Sequence, residues 1–404
     1  MFNFGSTQKV PFMKRIITTA ILIFCFQSIF GQVTVGPYGK GLQFTAKDSS
    51  YYLKIAGRMQ LRYDGAASEG SDKWVDEAYI RRARLKFQGF AFDPKFEYYI
   101  QLSLSNDDLG GGGTAATGNS PRLIRDAVVK WHFAKSWEFW FGIEKVPGNR
   151  QMLISSQYFQ FVERSLAHSV FTLNRDQGVQ LRHTFNLGTM IVKEMYAVSI
   201  GDGSNITIGN EGGYDYAGRL EFLPFGQFKN DGDYKEGDYD REETPKLSLG
   251  IAYNVNDRSI RTSGNSGSYM TDASGNFLKN TLNTIYLDGI FKYQGISLQA
   301  EYTNREGSNN AIVSSAGQLY KTGTTFFAQV GYIPNKKFGF AGRFATSEPD
   351  DATFSGVVPV DEYTLGFTRY IAGHYLKLAT DVSYLDYENT NDKFVARVML
   401  EISY

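Results

Sequence analysis

Cysteine is almost missing: the 404-residue chain holds one, Cys25. A single thiol excludes a disulfide framework and any Cys-based zinc site. Proline is scarce, with ten residues, and neither sign of charge prevails, since 42 Lys and Arg face 42 Asp and Glu. That balance removes the main argument for a nucleic-acid partner, which needs surplus cations to displace counterions. Long hydrophobic runs are rare as well. A mean hydropathy of −0.31 excludes a polytopic helical membrane protein, whose spans each need about 20 consecutive apolar residues. The abundant residues are glycine (42), tyrosine (26) and phenylalanine (31), a composition of many strands joined by polar loops.

The one apolar run, 16–30, follows Lys14 and Arg15 and ends at Gly31-Gln32. A basic start, a short greasy stretch and a small residue at the exit have the form of a secretory signal. Residues 1–31 are therefore read as an N-terminal extension plus export signal, with Met13 a candidate true start. Residues 32–404 form one β-barrel domain, cysteine-free and outside the cytoplasm. A lone N-terminal anchor is the alternative, for which the run is short.

From residue 51 the period becomes two. Tyr51, Leu53, Ile55, Met59, Leu61 and Tyr63 alternate with Lys54, Ala56, Arg58, Gln60 and Arg62. Neighbouring strand side chains point to opposite faces, so one face is apolar and the other basic. The apolar face carries tyrosine at both ends, where the aromatic girdles of an outer-membrane barrel strand lie. Further outward sets are Phe96 to Leu104, Trp137 to Ile143, Leu247 to Tyr253, Ile296 to Tyr302, Phe326 to Tyr332 and Phe394 to Tyr404, each taken at every second residue. No later segment shows a 3.6 period of helical length. The fold expected is all-β, a transmembrane antiparallel β-barrel of 16 strands with both termini on the periplasmic side.

Connections alternate in length, as they do between short periplasmic turns and long external loops. The long ones are 64–77, 106–121, 146–176, 201–213, 256–280, 304–322 and 346–360. One connection breaks the alternation: 224–245 should be a short turn, yet it holds the acidic run Asn230-Asp231-Gly232-Asp233-Tyr234-Lys235-Glu236-Gly237-Asp238-Tyr239-Asp240. It lacks the spacing of an EF-hand calcium loop and is read as a solvated acidic loop.

Several stretches resemble the phosphate-selective porin O and P family: Arg81-Arg82-Ala83-Arg84-Leu85, Phe141-Gly142-Ile143-Glu144-Lys145-Val146-Pro147, Phe161-Val162-Glu163-Arg164-Ser165 and Asn174-Arg175-Asp176-Gln177-Gly178-Val179. The resemblance implies an outer-membrane porin, usually a homotrimer, with the third external loop folded into the lumen. Here that loop is 146–176, carrying Arg150, Arg164 and Arg175. It has no lysine, whereas phosphate selectivity in the family draws on a lysine cluster as well as an arginine ladder, so phosphate specificity does not transfer directly.

The expected site is a basic lumen wall. The first strand supplies Lys54, Arg58 and Arg62 and the second Arg82, Arg84 and Lys86, joined by Arg150, Arg164 and Arg175 of the loop. Guanidinium groups fork onto oxyanions, and a series of weak sites lets an ion enter and leave. Opposite them lie Glu97, Glu138, Glu144, Asp288, Glu301, Asp381 and Glu401, which would set up a transverse field. Arg81 is placed on the lipid side, within reach of lipopolysaccharide phosphate. The function expected is passive diffusion of small hydrophilic solutes with anion preference. The alternative is an oligosaccharide or general diffusion channel, with inward Tyr52, Tyr99, Trp140 and Tyr286 as a stacking row. Expected partners are outer-membrane lipid, lipopolysaccharide and small anions, with no cofactor, metal or nucleic acid. The histidines, His132, His168, His183 and His374, form no recognisable hydrolase motif.

Overall fold

The computed structural model describes residues 32–35, 39–109, 123–206, 209–350 and 358–404. The expected export signal, 1–31, lies outside these residues. Two short strands open the fold, β1 (Gln32–Val35) and β2 (Leu42–Thr45). Sixteen long strands follow: β3 (Tyr51–Ser68), β4 (Val75–Ala91), β5 (Asp93–Ser103), β6 (Ile124–Ala134), β7 (Trp137–Lys145), β8 (Arg175–Leu187), β9 (Met190–Ser199), β10 (Asp215–Leu223), β11 (Lys246–Ser259), β12 (Asn280–Tyr293), β13 (Ile296–Gly307), β14 (Gly323–Tyr332), β15 (Phe338–Pro349), β16 (Val360–Tyr370), β17 (Leu376–Tyr387) and β18 (Lys393–Ser403).

Each long strand pairs antiparallel with the next, and β18 returns to β3 with Lys393 opposite Ser68 and Ser403 opposite Arg58. The sheet thus closes into the expected 16-stranded barrel, leaving no open edge to satisfy in lipid. Tyr404 completes the seam by exchanging backbone bonds of 3.0 and 3.2 Å with Gly57. Below that point β3 pairs instead with β2, Leu42 facing Ile55 and Thr45 facing Tyr52. The alternation pattern does not mark this small hairpin.

The alternation sorts as expected. On β18, Phe394, Val398, Leu400, Ile402 and Tyr404 are exposed on the outside, whereas Met399 and Glu401 are buried within. The interior is correspondingly polar, the reverse of a soluble domain. Strands overshoot the expected ends: β3 runs 18 residues, against the ~9–11 needed to cross. The expected loops 64–77 and 346–360 shrink to the segments 69–74 and 350–359 between strands.

The described residues also hold three short α-helices, α1 (Asn106–Leu109), α2 (Arg150–Leu153) and α3 (Leu166–Phe171). At four to six residues each, they are too brief for a 3.6 period to show.

Candidate functional site

The lumen loop leaves β7, crosses to the far wall and returns to β8. Along that wall Asn149 Nδ2 donates to Glu301 (3.2 Å), and the Gln151 amide to the same carboxylate (3.0 Å). Lys377 Nζ reaches the carbonyls of Gln157 and Phe159, both at 2.9 Å, and Thr368 that of Gln160 at 3.0 Å. The amides of Val162 and Leu166 donate to Asp381 (2.8 Å) and Glu362 (2.7 Å). Room for the loop comes from small inward residues. A Cβ on Gly331 would stand 1.7 Å from Gln160 Oε1, and one on Gly366 2.8 Å from the Phe161 ring. Val162 packs with Ala379 and Met399, and Ala167 of α3 with Phe327 and Ala345.

Glu163 is the pivot of the loop. Its carboxylate receives Arg62 Nη1 (3.0 Å), Arg81 Nε (3.0 Å) and Arg82 Nη2 (2.8 Å). Burial works against its charge, but Arg82, Arg81, Arg164 and Arg62 hold its carboxyl well below the usual carboxylate range. Removing one partner of such a buried cluster typically costs about 3–5 kcal/mol.

Arg81 does not face lipid. The β3–β4 register shifts between Gln60 and Leu61, with Arg82 and Ile80 as their partners. This bulge leaves Arg81 as the extra residue and turns it inward onto Glu163, away from any lipopolysaccharide.

The 224–245 connection is not a solvated acidic loop. Asp233, Glu236, Asp238 and Glu242 are all at most 2% exposed. Lys193 pairs with Asp233 at 2.5 Å, and Lys292 Nζ donates to Gly237 O at 2.8 Å. Asp238 accepts from the Gly295 amide at 2.6 Å. Within the connection Lys235 pairs with Asp240 and Lys229 with Glu243. The groups that hold its buried part, Lys193, Lys292 and the Gly295 amide, come from elsewhere in the barrel, so its own composition conceals its burial.

These two insertions fill one side of the bore. Inward residues of β11–β18 such as Ser248, Tyr286, Lys292, Gln299, Thr325 and Glu401 are buried, whereas Lys86, Gln88, Tyr99, Lys130, Trp140 and Arg182 on β4–β8 remain partly open. Three cavities sharing Lys130 follow that open wall, with volumes of about 280, 650 and 230 Å³. The first is lined by Arg84, Lys86, Arg125, Lys130, Lys145, Arg164 and Arg175 against only Asp126 and Glu144. Asp288, Glu301 and Asp381 hold the loop and Glu401 holds Arg58 and Gln60. Glu97, Glu138 and Glu144 line the cavities on the same side as the cations, so the expected acids do not form one wall opposite them.

The expected site residues therefore divide. All six cations expected on the inner face of β3 and β4 point inward, but Arg58, Arg62 and Arg82 are loop anchors, bonded to Glu401 and Ser156, to Asp64 and Glu163, and to Gln60 and Glu163. Arg150 lies away from the path, wholly buried between Asp288 (2.5 Å), Ser248 (2.9 Å) and Asp233 O (2.9 Å). Arg84 and Arg175 line the path while paired with Asp108 and Asp126. Lys86 and Arg164 line it without a carboxylate contact, and Lys54 lies half-buried outside the three cavities.

Sequence reasoning missed Arg125, Lys130, Lys145 and Arg182. Of these, Lys130 and Arg182 sit on the register of Trp140, which alternation alone makes visible. Among the described residues, Lys86 and Lys130 make no hydrogen bond or ion pair. The side chains of Lys145 and Arg164 donate only to backbone carbonyls, and that of Arg182 only to Gln180 Oε1.

The lumen aromatics are not a free row. Trp140 carries two cations over its rings, Lys130 Nζ and Arg182 Cζ, each 3.8 Å from a ring centre. Tyr286 is fully buried, and Tyr52 stacks on Phe90. His168, in α3, contacts Asn149 at 2.9 Å; burial, then Arg164, hold its pKa well below the ordinary value.

Comparison with known proteins agrees with this architecture. An uncharacterized protein of Aquifex aeolicus (strain VF5) is 25% identical over 377 residues, 85% of this chain and 84% of that relative. The anion-selective porin of Comamonas acidovorans superimposes with a TM-score of 0.56 at 9% identity, over 88% of this chain and all of that one. The outer membrane channel DcaP of Acinetobacter baumannii gives 0.55 at 12% identity, over 89% and 99%. The model of the phosphate-selective porin O and P family matches residues 53–400. The chain belongs to that family and is an outer-membrane porin, a fold that points to a channel rather than an enzyme.

Proposed function

We propose that the off-centre path conducts small anions in preference to cations, with phosphate and other oxyanions as the natural class. The observation that carries this reading is the set Lys86, Lys130, Lys145, Arg164 and Arg182, whose side chains line the adjoining cavities and, among the described residues, form no ion pair, although Asp126, Glu138, Glu144, Glu194 and Asp231 line the same cavities. Guanidinium and ammonium groups left with spare donors in a water-filled slot bind oxyanions weakly and in series, which favours passage over capture. Low-dielectric walls concentrate that field. The two cations over the rings of Trp140 weigh against a sugar slide, since a pyranose needs an uncovered ring to stack on. Export through residues 1–31, supported by the basic start and the apolar run 16–30, and assembly as a homotrimer, supported by family resemblance, belong to the same proposal.

The test is the reversal potential of the purified porin in planar bilayers under a salt gradient. Anion preference is expected, with current partly blocked by added phosphate and indifferent to maltooligosaccharides. A cation-preferring or sugar-blocked pore refutes it.

A further inference from the structure

The 224–245 connection has no counterpart among the short turns at its end of the barrel, and it does more than fill space. Its tip rests against the underside of the lumen loop. Arg150 Nη1 donates to Asp233 O at 2.9 Å, and Gln151 Nε2 to Glu236 Oε1 at 3.2 Å. The Gln160 amide donates to Glu236 Oε2 at 2.8 Å, and the Glu236 amide to Tyr158 O at 3.2 Å. One glutamate thus grips two separate stretches of the loop.

The base of the connection spans the neighbouring turns. Arg241 Nη1 donates to Pro334 O at 2.9 Å, Asp238 holds the Gly295 amide, and Tyr239 packs 5.0 Å from both Tyr370 and His374. A Cβ on Gly295 would lie 2.4 Å from Arg241, so this glycine leaves the space the strut needs. On its free side, Asn230, Asp231, Tyr234 and Lys235 line the 650 Å³ cavity opposite Trp140.

We propose that this connection is a second constriction element. It enters from the short-turn mouth, braces the lumen loop from below, closes the β11–β18 half of the bore and leaves solutes one path along β4–β9. Glu236 is its main positioning residue. Two constrictions from opposite ends then act on one ion, and the lower one sets conductance without contributing the selective cations.

The direct test replaces 227–243 with a short Gly-Ser linker in the otherwise complete porin. Single-channel conductance is expected to rise at least about twofold, because a 16-stranded barrel otherwise encloses a broad aqueous channel. Anion preference should fall with it. Unchanged conductance in a correctly inserted barrel overturns the proposal.

Should the deletion not insert, thiol labelling decides, since residues 32–404 hold no cysteine of their own. Gln299→Cys, in the closed half, is expected to resist a small charged methanethiosulfonate that modifies Gln88→Cys readily. Adding Glu236→Ala should speed labelling at 299 by about tenfold, the size of a 1.4 kcal/mol loss. Equal labelling at 299 and 88 in the braced protein, or no change on adding Glu236→Ala, refutes the assignment.

Discussion

Replacing Lys86 and Lys130 with glutamine tests the charge argument at its source. Neither side chain makes a hydrogen bond or ion pair among the described residues, so their loss leaves the loop anchors intact. One cation about 6 Å from a permeating ion in water is worth about 0.7 kcal/mol. A Debye length of about 8 Å at physiological salt screens this to about 0.3 kcal/mol. The same cation lowers an anion and raises a cation, so it separates the two by about 0.6 kcal/mol. The double variant should then lose about 1.2 kcal/mol of discrimination, close to an eightfold drop in the anion-to-cation permeability ratio. Reversal potentials in a tenfold potassium chloride gradient read this ratio directly. Arg258→Gln, at an exposed ion pair with Asp257, serves as the control and should leave the ratio unchanged. A double variant that matches the parent would show that these lysines do not set the field.

Other outcomes follow from the loop's moorings. Glu163→Gln takes the shared charge from Arg62, Arg81 and Arg82, and should weaken loop docking by about 3 kcal/mol; larger and noisier single-channel currents are the sign, and a quiet channel of normal size argues against the pivot. Gly331→Leu sets a side chain where Gln160 now lies, so the loop should lift and conductance should rise; an unaltered channel would mean that this seat is not used. The pH dependence also has a definite sign. Because the Glu163 carboxyl is held well below its free value, near 4.3, its stabilisation is complete above that free value and is lost only as pH falls through the much lower folded one. The conductance difference between the parent and Glu163→Gln should therefore stay constant from about pH 7 to about pH 4, and a difference that closes within that window would contradict the arrangement.

Alternation made the barrel legible, because a period of two assigns every side chain to lipid or lumen without knowledge of its partners. That logic placed Lys54, Arg58, Arg62, Arg82, Arg84 and Lys86 on the inside. It failed at Arg81, where one bulge residue inverts the phase, and bulges leave no mark in composition. It also could not tell a working cation from a clamped one. Arg58 finds Glu401 across 343 positions, and Arg150 finds Asp288 across 138, so pairing depends on closure of the ring. The acidic connection was misread for the same reason, since Lys193 and Lys292 arrive from other strands. A usable hint was present in Gly331, Ala345, Gly366 and Ala379, whose missing bulk on the inward register makes room for the loop.

The uneven crowding of the bore separates two kinds of mutational freedom. Substitutions along the packed side disturb how the protein holds together, and a lineage can change little there. Those along the vacant side alter a few water-facing groups at small structural cost. Permeability can therefore drift, or be retuned in the laboratory, while the scaffold that carries it stays fixed.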